Sequence, residues 1–231
     1  MTTPRARARA QTMIDIKRIA REHLATDGAA ALSLRAVARD LGVVSSAVYR
    51  YVRSRDELLT LLVVDGYDAL GDAVDAALAA APDDPIEQFR VTARTIRAWA
   101  LTEPAWYGLL FGTPVPGYAA PADRTVTPGT RVIVTLMGLF AAAHGRGLLV
   151  PPAADGPSLA GPLADDFVRI RAEFGLEVPD WVLARGLTVW CALFGAVCFE
   201  VFDMYGADTF TDRTQVFETH IAGLETLLGV A

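Results

Sequence analysis

Residues 34–59, LRAVARDLGVVSSAVYRYVRSRDELL, constrain the fold of this chain more than any other stretch. Apolar residues recur at i, i+3, i+4 and i+7 from Leu34 to Leu41, which is one stripe of a short helix. Gly42 follows at a place where helices commonly end with positive φ, a conformation that suits a residue without Cβ. A second apolar stripe comes after this turn: Ala47, Val48, Tyr51 and Val52. The pattern predicts a helix-turn-helix.

Helical signals flank this motif on both sides. An apolar stripe from Met13 to Leu24 predicts a preceding helix that braces the pair. After the motif, the run Ser54 to Glu57 forms a capping box and starts a helix that can continue to Ala80. These signals predict an all-α chain with a three-helix DNA-binding domain at residues 1–60. The helix from Arg55 to Ala80 would link it to a second helical domain at residues 61–231.

The charge distribution follows the same division. Residues 1–60 hold 11 Lys and Arg against 6 Asp and Glu, whereas the rest holds 10 against 21. A basic first quarter in an acidic protein favours a local electrostatic footprint for nucleic acid. Arg5, Arg7 and Arg9 alternate with small residues and predict a short disordered basic arm at residues 1–10. The arm is either a solubilising terminus or a contact to phosphate or the minor groove.

The segment after the turn resembles the signature of the TetR family of transcriptional regulators. The matching residues are Tyr49-Arg50-Tyr51-Val52, then Arg53 and Arg55, then Asp56-Glu57-Leu58-Leu59. Val44 departs from the family, which usually has a polar residue at the entrance of the recognition helix, so the cap could pass to Ser45. The resemblance implies binding to a double-stranded DNA operator.

The candidate DNA-binding residues follow from the motif and the resemblance: Ser33, Arg35, Ser45, Ser46, Ala47, Tyr49, Arg50, Arg53 and Arg55. The resemblance implies that Tyr49 and Arg55 contact phosphates, with help from Ser33. Phosphate contacts supply affinity without sequence preference. The small residues 45–47 are expected to approach base edges, with Arg35 and Arg50 as further candidates.

The remaining residues predict a helical domain for effector binding and dimerisation. Asp84 and Pro85 mark a helix start, and the aromatic run 106–118, WYGLLFGTPVPGY, leads into a predicted loop from Gly112 to Pro128. That run resembles the WHG subgroup of the family, as does the W-x₄-G-x₄-E spacing that begins at Trp190, although Phe194 replaces a usual His. An apolar effector pocket could be lined by Trp99, Trp106, Tyr107, Phe111 and Tyr118, although each is also typical of an ordinary core.

Two later segments, residues 132–143 and 186–199, carry no charge. They are shorter than the roughly 20 apolar residues that span a bilayer, so we expect no membrane association. Pairing with a second copy of the chain would bury them in a four-helix homodimer interface. The candidate interface residues are Val132, Leu136, Phe140, Trp190, Phe194, Val197 and Val201.

These elements predict a cytoplasmic, ligand-responsive repressor that binds a palindromic operator as a homodimer. Two recognition helices about 34–36 Å apart could enter successive major grooves. A small apolar or aromatic effector would release DNA by tilting the linking helix. The alternative is a small helical enzyme or binding protein, whose polar cluster could only be Arg97, Glu103 and Glu200. We expect no cofactor and no metal, because the three histidines lie far apart without ligand-spaced partners.

Overall fold

The structure, a computed structural model, describes residues 3–152 and 160–230. Those residues form ten α-helices and one short 3₁₀ turn, and their extended pairing is limited to an isolated bridge between Leu149 and Val230. The predicted all-α class is therefore confirmed. Residues 153–159, within the Gly- and Pro-rich stretch 145–162 that the sequence predicts to be a loop, lie outside the described residues, as do Met1, Thr2 and Ala231.

The helices run in the following order. The N-terminal part contains α1 Pro4–Asp27, the 3₁₀ turn Ala29–Ala31, α2 Leu34–Asp40, α3 Ser45–Tyr49 and α4 Arg55–Ala79. The rest contains α5 Pro85–Thr102, α6 Pro104–Phe111, α7 Ala122–Gly145, α8 Pro162–Phe174, α9 Asp180–Val201 and α10 Arg213–Leu228.

Several helices begin and end where the local sequence signals predict. Gly42 has φ of 72° in the turn between α2 and α3. The Ser54 hydroxyl accepts a hydrogen bond from the Glu57 N–H at 3.1 Å, and the Glu57 carboxylate accepts one from the Arg53 N–H at 2.6 Å. Asp84 accepts from the backbone N–H of Ile86 at 2.8 Å. These side chains supply acceptors to N–H groups that have no partner within the first turn.

Two predictions about irregular segments were wrong. Residues 4–10 of the predicted disordered arm belong to α1, whose first turn is capped by Thr3, with its hydroxyl 3.2 Å from the Ala6 nitrogen. Arginine and alanine both favour helices, so the lack of an apolar stripe there does not imply disorder. The predicted loop from Gly112 to Pro128 ends early, since α7 begins at Ala122 and contains Pro128.

The chain divides into two compact units. The first unit contains residues 1–69 and 102–129, and the second contains 70–101 and 130–231. The boundaries fall inside α4, before the last residue of α5 and inside α7. The first unit thus holds α6 in addition to the helix-turn-helix, whereas the sequence placed a domain boundary at residues 60 and 61.

One apolar core holds the first unit together. It contains buried side chains of α1, α2, α3, the first turns of α4 and the segments that connect these helices: Ile16, Ile19, Ala20, Leu24, Leu32, Leu34, Val37, Ala38, Val48, Val52, Leu58, Leu59 and Leu62. Trp106 and Leu109 of α6 pack against this cluster. The short α2 and α3 are therefore stabilised by packing, because isolated helices of their length are unstable in water.

The core of the second unit is built from α5, α7, α9 and α10. Phe89 of α5 meets the ring of Phe140 on α7 edge-on, with centroids 5.6 Å apart. The helices α7 and α9 are long and apolar enough to span a bilayer, with mean hydropathy of 1.4 and 1.8 in their most apolar windows. Both bury one face in the protein, including Leu136 and Leu193, as core helices do.

Candidate nucleic-acid interface

Helix α3 is anchored by one face and exposes the other. Val48 is buried in the first unit's core, and Val52 is buried just after the helix. Ser46, Tyr49 and Arg50 are exposed. This arrangement suits a recognition helix, because the buried valines fix its orientation while hydroxyl and guanidinium donors face solvent.

All nine predicted DNA-binding residues retain solvent exposure. Arg35, Ser46, Tyr49, Arg50 and Arg53 are exposed, whereas Ser33, Ser45, Ala47 and Arg55 are half-buried. Ser33 and Val44 are the N-cap residues of α2 and α3 and have extended backbone. The cap of α3 therefore stays at Val44 and does not pass to Ser45, which is the first residue of the helix. The sequence therefore located the helix-turn-helix residues correctly, and their contacts with DNA stay a prediction.

Arg55 has a structural contact that the sequence did not indicate. Its guanidinium donates to the carbonyl oxygens of Ala29 at 3.1 Å and Ala30 at 3.2 Å. Its Nη1 also lies 3.7 Å from the Asp56 carboxylate. Arg55 thereby joins the start of α4 to the 3₁₀ turn. A guanidinium has five N–H donors, so these bonds leave donors for a phosphate.

The ordered start of α1 adds cations to the same unit. The Arg9 guanidinium lies over the Tyr51 ring, 5.0 Å from its centroid, within the range of a cation–π contact. Arg5 and Arg7 are exposed on the first turns of α1. Near the end of α2, hydrogen bonds with Arg39 and His23 hold the pKa of the Asp40 carboxyl below its ordinary value. The Asp40 carboxylate thus ties α1 to α2.

The aromatic residues predicted to line an effector pocket pack and form hydrogen bonds within the chain. Tyr107 is fully buried and packs on Phe111, with ring centroids 5.0 Å apart. Trp106 donates to the Leu62 carbonyl at 2.9 Å, and the Tyr118 hydroxyl lies 3.1 Å from that of Thr60. These four residues belong to the first unit, whereas Trp99 belongs to the second. In the first unit these four aromatic side chains therefore pack in the core or form hydrogen bonds with α4.

An apolar cavity of about 110 Å³ lies in the second unit. Its lining comes from α7, α8 and α9 and contains only apolar side chains: Ile133, Val134, Met137, Phe167, Ile170, Phe174, Leu183 and Leu187. None of the five aromatic residues predicted for the effector pocket is among them. The signal that could have found this cavity is the helical spacing of Phe167, Ile170 and Phe174 in the short α8.

Five of the seven predicted interface residues are buried within the chain itself: Val132, Leu136, Phe140, Phe194 and Val197. Trp190 and Val201 are half-buried. We expected pairing with a second copy to bury these side chains, but these five are already buried by packing in the protomer. When a helix is apolar on every side, its sequence does not tell which stripe faces inward. Cys191 on α9 is exposed.

The polar residues considered for an enzyme are engaged in ion pairs in different units. In the second unit Arg97 forms a bidentate pair with Glu200, at 2.7 and 2.6 Å, and its guanidinium lies over the Phe217 ring. These hydrogen bonds raise the pKa of Arg97 above its ordinary value. In the first unit Glu103 pairs with Arg21. The pairs join α5 to α9 and α1 to the start of α6.

Comparison with known proteins finds a matching family model for the N-terminal part of the chain and another for the C-terminal part. The family model described as bacterial regulatory proteins, tetR family, matches residues 17–62. The model described as tetracyclin repressor-like, C-terminal domain, matches residues 89–224. The HTH-type transcriptional regulators Rv1816 of Mycobacterium tuberculosis (strain ATCC 25618 / H37Rv) and Mb1846 of Mycobacterium bovis are each 45% identical over 216 residues, covering 91% of this chain and 89% of the relative.

Solved structures agree with this assignment. The crystal structure of the regulatory protein SCO4313 superposes with a TM-score of 0.76 at 33% identity, covering 96% of this chain and 98% of that one. A regulatory protein of the tetR family from Rhodococcus RHA1 shares the fold, with a TM-score of 0.62 at 15% identity over 94% of this chain and 97% of that one. The exposed helix-turn-helix, the helical C-terminal part and these relatives lead to one conclusion: the chain belongs to the TetR family of helix-turn-helix transcriptional regulators.

Proposed function

We propose that this regulator is a cytoplasmic repressor that binds a palindromic operator as a homodimer and is released by a small apolar effector. The observation that carries the DNA-binding part is helix α3, whose valine face is buried while Ser46, Tyr49 and Arg50 are exposed. Repression is favoured over activation because occlusion of a promoter needs no surface for polymerase.

Selection of bound duplexes from a random pool, followed by footprinting upstream of the protein's own gene, tests the proposal. A homodimer should enrich a near-palindrome whose half-sites are about one helical turn or a multiple apart. Failure to enrich any duplex at low salt would contradict DNA-sequence recognition. Enrichment of a single unrepeated half-site would contradict the homodimer.

Substitution of Arg53 or Arg55 by alanine should weaken binding to all DNA sequences. Each lost phosphate contact makes the negative slope of log K against log salt shallower by about 0.9 per half-site. Fluorescence anisotropy at several salt concentrations measures this slope, with Arg169→Ala on α8 as the control. Arg55→Ala should also lower thermal stability, because Ala29 and Ala30 lose a donor. An unchanged slope for Arg55→Ala would leave only the structural role.

The exposed faces of α9 and α10 support a homodimer whose interface is formed by other residues than those predicted from the sequence. On α9 the residues Thr188, Ala192, Gly195 and Phe199 follow one another at spacings of three and four, and each keeps some solvent exposure. On α10 Ala222, Gly223, Thr226 and Leu227 are exposed. On each helix these exposed residues lie beside the stripe that is buried in the protomer. A twofold interface built on it would pair α9 and α10 with the same helices of a second copy.

Glycine makes close approach possible at this surface. A Cβ added at Gly195 or at Gly223 would meet no atom within 4 Å in the protomer. Phe199, with 47% of its surface exposed, supplies a large apolar side chain to the same face. Small residues beside a large one allow helices of two copies to interdigitate.

The proposed effector site is the apolar cavity between α7, α8 and α9. Its volume of about 110 Å³ is comparable to cavities of about 150 Å³ that bind benzene. Because its lining has no polar side chain, the best-matched effector is a neutral apolar compound of about one ring. A larger compound would have to displace a lining side chain.

Filling the cavity should abolish stabilisation by such a compound. At a concentration of about 100 Kd, a ligand stabilises the folded state by about 2.7 kcal/mol, which raises the melting temperature by several degrees. We expect benzene or toluene to shift the melting temperature of the unchanged protein but not of Leu187→Trp. Val168→Trp on the exposed side of α8 is the matched control. Equal shifts in both variants would place binding elsewhere.

A further inference from the structure

Two consecutive valines are exposed at the entrance of the recognition helix. Val43 has 41% of its surface exposed and Val44 has 71%, the largest value among the exposed large apolar side chains of the described residues. Val44 immediately precedes α3. Single exposed apolar side chains are common, but this one stands among the serine, tyrosine and arginine side chains of the candidate DNA surface.

Val44 contributes little to the stability of its own unit. The core beneath α3 is made by Val48 and Val52, and the isopropyl group of Val44 has no oxygen with which to cap the helix. The position of its backbone is nevertheless well defined. The Val44 carbonyl accepts from the Ala47 N–H at 2.9 Å, and the Val43 N–H donates to the Ala38 carbonyl at 3.0 Å. The turn thus holds an apolar group in a fixed place on an otherwise polar surface.

The major groove of DNA offers one apolar group on its base edges, the C5-methyl of thymine. An exposed valine at the start of a helix that enters this groove is complementary to that methyl. We propose that Val44, with Val43 beside it, contacts a thymine methyl in each operator half-site and makes thymine preferred there. This inference rests on the proposed DNA-binding function and adds a specificity-determining residue to it.

The size of the effect follows from the apolar surface involved. Burial of one methylene-sized group changes an equilibrium constant by about fourfold. A symmetric operator has two such contacts, so loss of both methyls should weaken binding by about 15-fold. Polar contacts of Ser45, Ser46 and Arg50 would be unaffected, because deoxyuridine keeps every hydrogen-bonding group of thymidine.

The test is a thymidine-to-deoxyuridine scan of the operator recovered by selection, with one symmetric pair of thymidines replaced at a time. For the unchanged protein, one pair should cause a loss of about 15-fold in anisotropy titrations. Val44→Ala should bind the thymidine operator more weakly and lose most of the preference at that pair. Val168→Ala, an exposed valine on α8, is the matched control and should keep the full preference. Circular dichroism should show unchanged folding for both variants.

The outcomes separate this inference from the function on which it rests. If the protein enriches no duplex, both the operator function and the thymine contact are overturned. If an operator is bound but every deoxyuridine pair changes affinity less than twofold, only the thymine contact is overturned. A methyl preference that persists undiminished in Val44→Ala assigns the contact to another residue and overturns the role of Val44.

Discussion

Replacement of Glu200 by alanine should lower the free energy of unfolding of the second unit by about 3–5 kcal/mol. The side chains of Arg97 and Glu200 are 17% and 6% exposed, and they are joined by two hydrogen bonds of 2.6 and 2.7 Å. Removal of the carboxylate leaves the Arg97 guanidinium poorly solvated and without its bidentate partner. Chemical denaturation followed by circular dichroism measures the loss.

A double variant separates two contributions to the free energy of unfolding: the cost of leaving one buried charge without a partner, and the net contribution of the ion pair. Arg97→Met combined with Glu200→Leu removes both charges, so we expect it to recover most of the stability lost in Glu200→Ala. Glu218→Ala is the control, because its pair with Arg94 joins α10 to α5 but is 34% and 45% exposed. An exposed pair contributes about 0–1 kcal/mol. A loss for Glu200→Ala as small as that of Glu218→Ala would show that burial does not strengthen the first pair.

The sequence predicted the helix-turn-helix well because its signals are local. Gly42 requires a turn, Ser54 and Glu57 mark a helix start, and Val48 and Val52 fall on one face. Each signal depends on residues within one or two turns of helix. These local signals are sufficient to place the two helices along the chain, and all nine candidate DNA-binding residues are exposed or half-buried.

The second unit was harder to predict because its helices are apolar on several faces. On α7 and α9 the sequence offers more than one stripe, and the chosen one, which includes Leu136 and Val197, is buried in the protomer. Which stripe is buried depends on the packing of other helices, such as α5 against α7 and α10 against α9, and the periodicity of a single helix does not show this packing. The same holds for the cavity, since its lining from α7, α8 and α9 is assembled by packing between elements. Periodicity identifies an apolar stripe but does not identify what covers it.

Gly223→Arg should convert the proposed homodimer into a monomer and weaken binding to a two-half-site operator by about 10²–10⁴-fold. The loss is large because the second half-site is bound at the high effective concentration that dimerisation supplies. An arginine at Gly223 meets open space in the protomer, where an added Cβ contacts nothing within 4 Å. In the proposed interface it would place a charge between apolar helices, which is strongly unfavourable. Light scattering after size exclusion gives the oligomeric state, and anisotropy gives the affinity.

Ala172→Arg on the exposed side of α8 is the matched control, because it adds the same charge outside the proposed interface. It should remain dimeric and bind the operator as the unchanged protein does. Binding of an isolated half-site should be equal in both variants, since each first unit is unaltered. A Gly223→Arg protein that remains dimeric would contradict the α9 and α10 interface. One that becomes monomeric yet binds the full operator without loss would contradict the need for a dimer, because each half-site would then be bound independently.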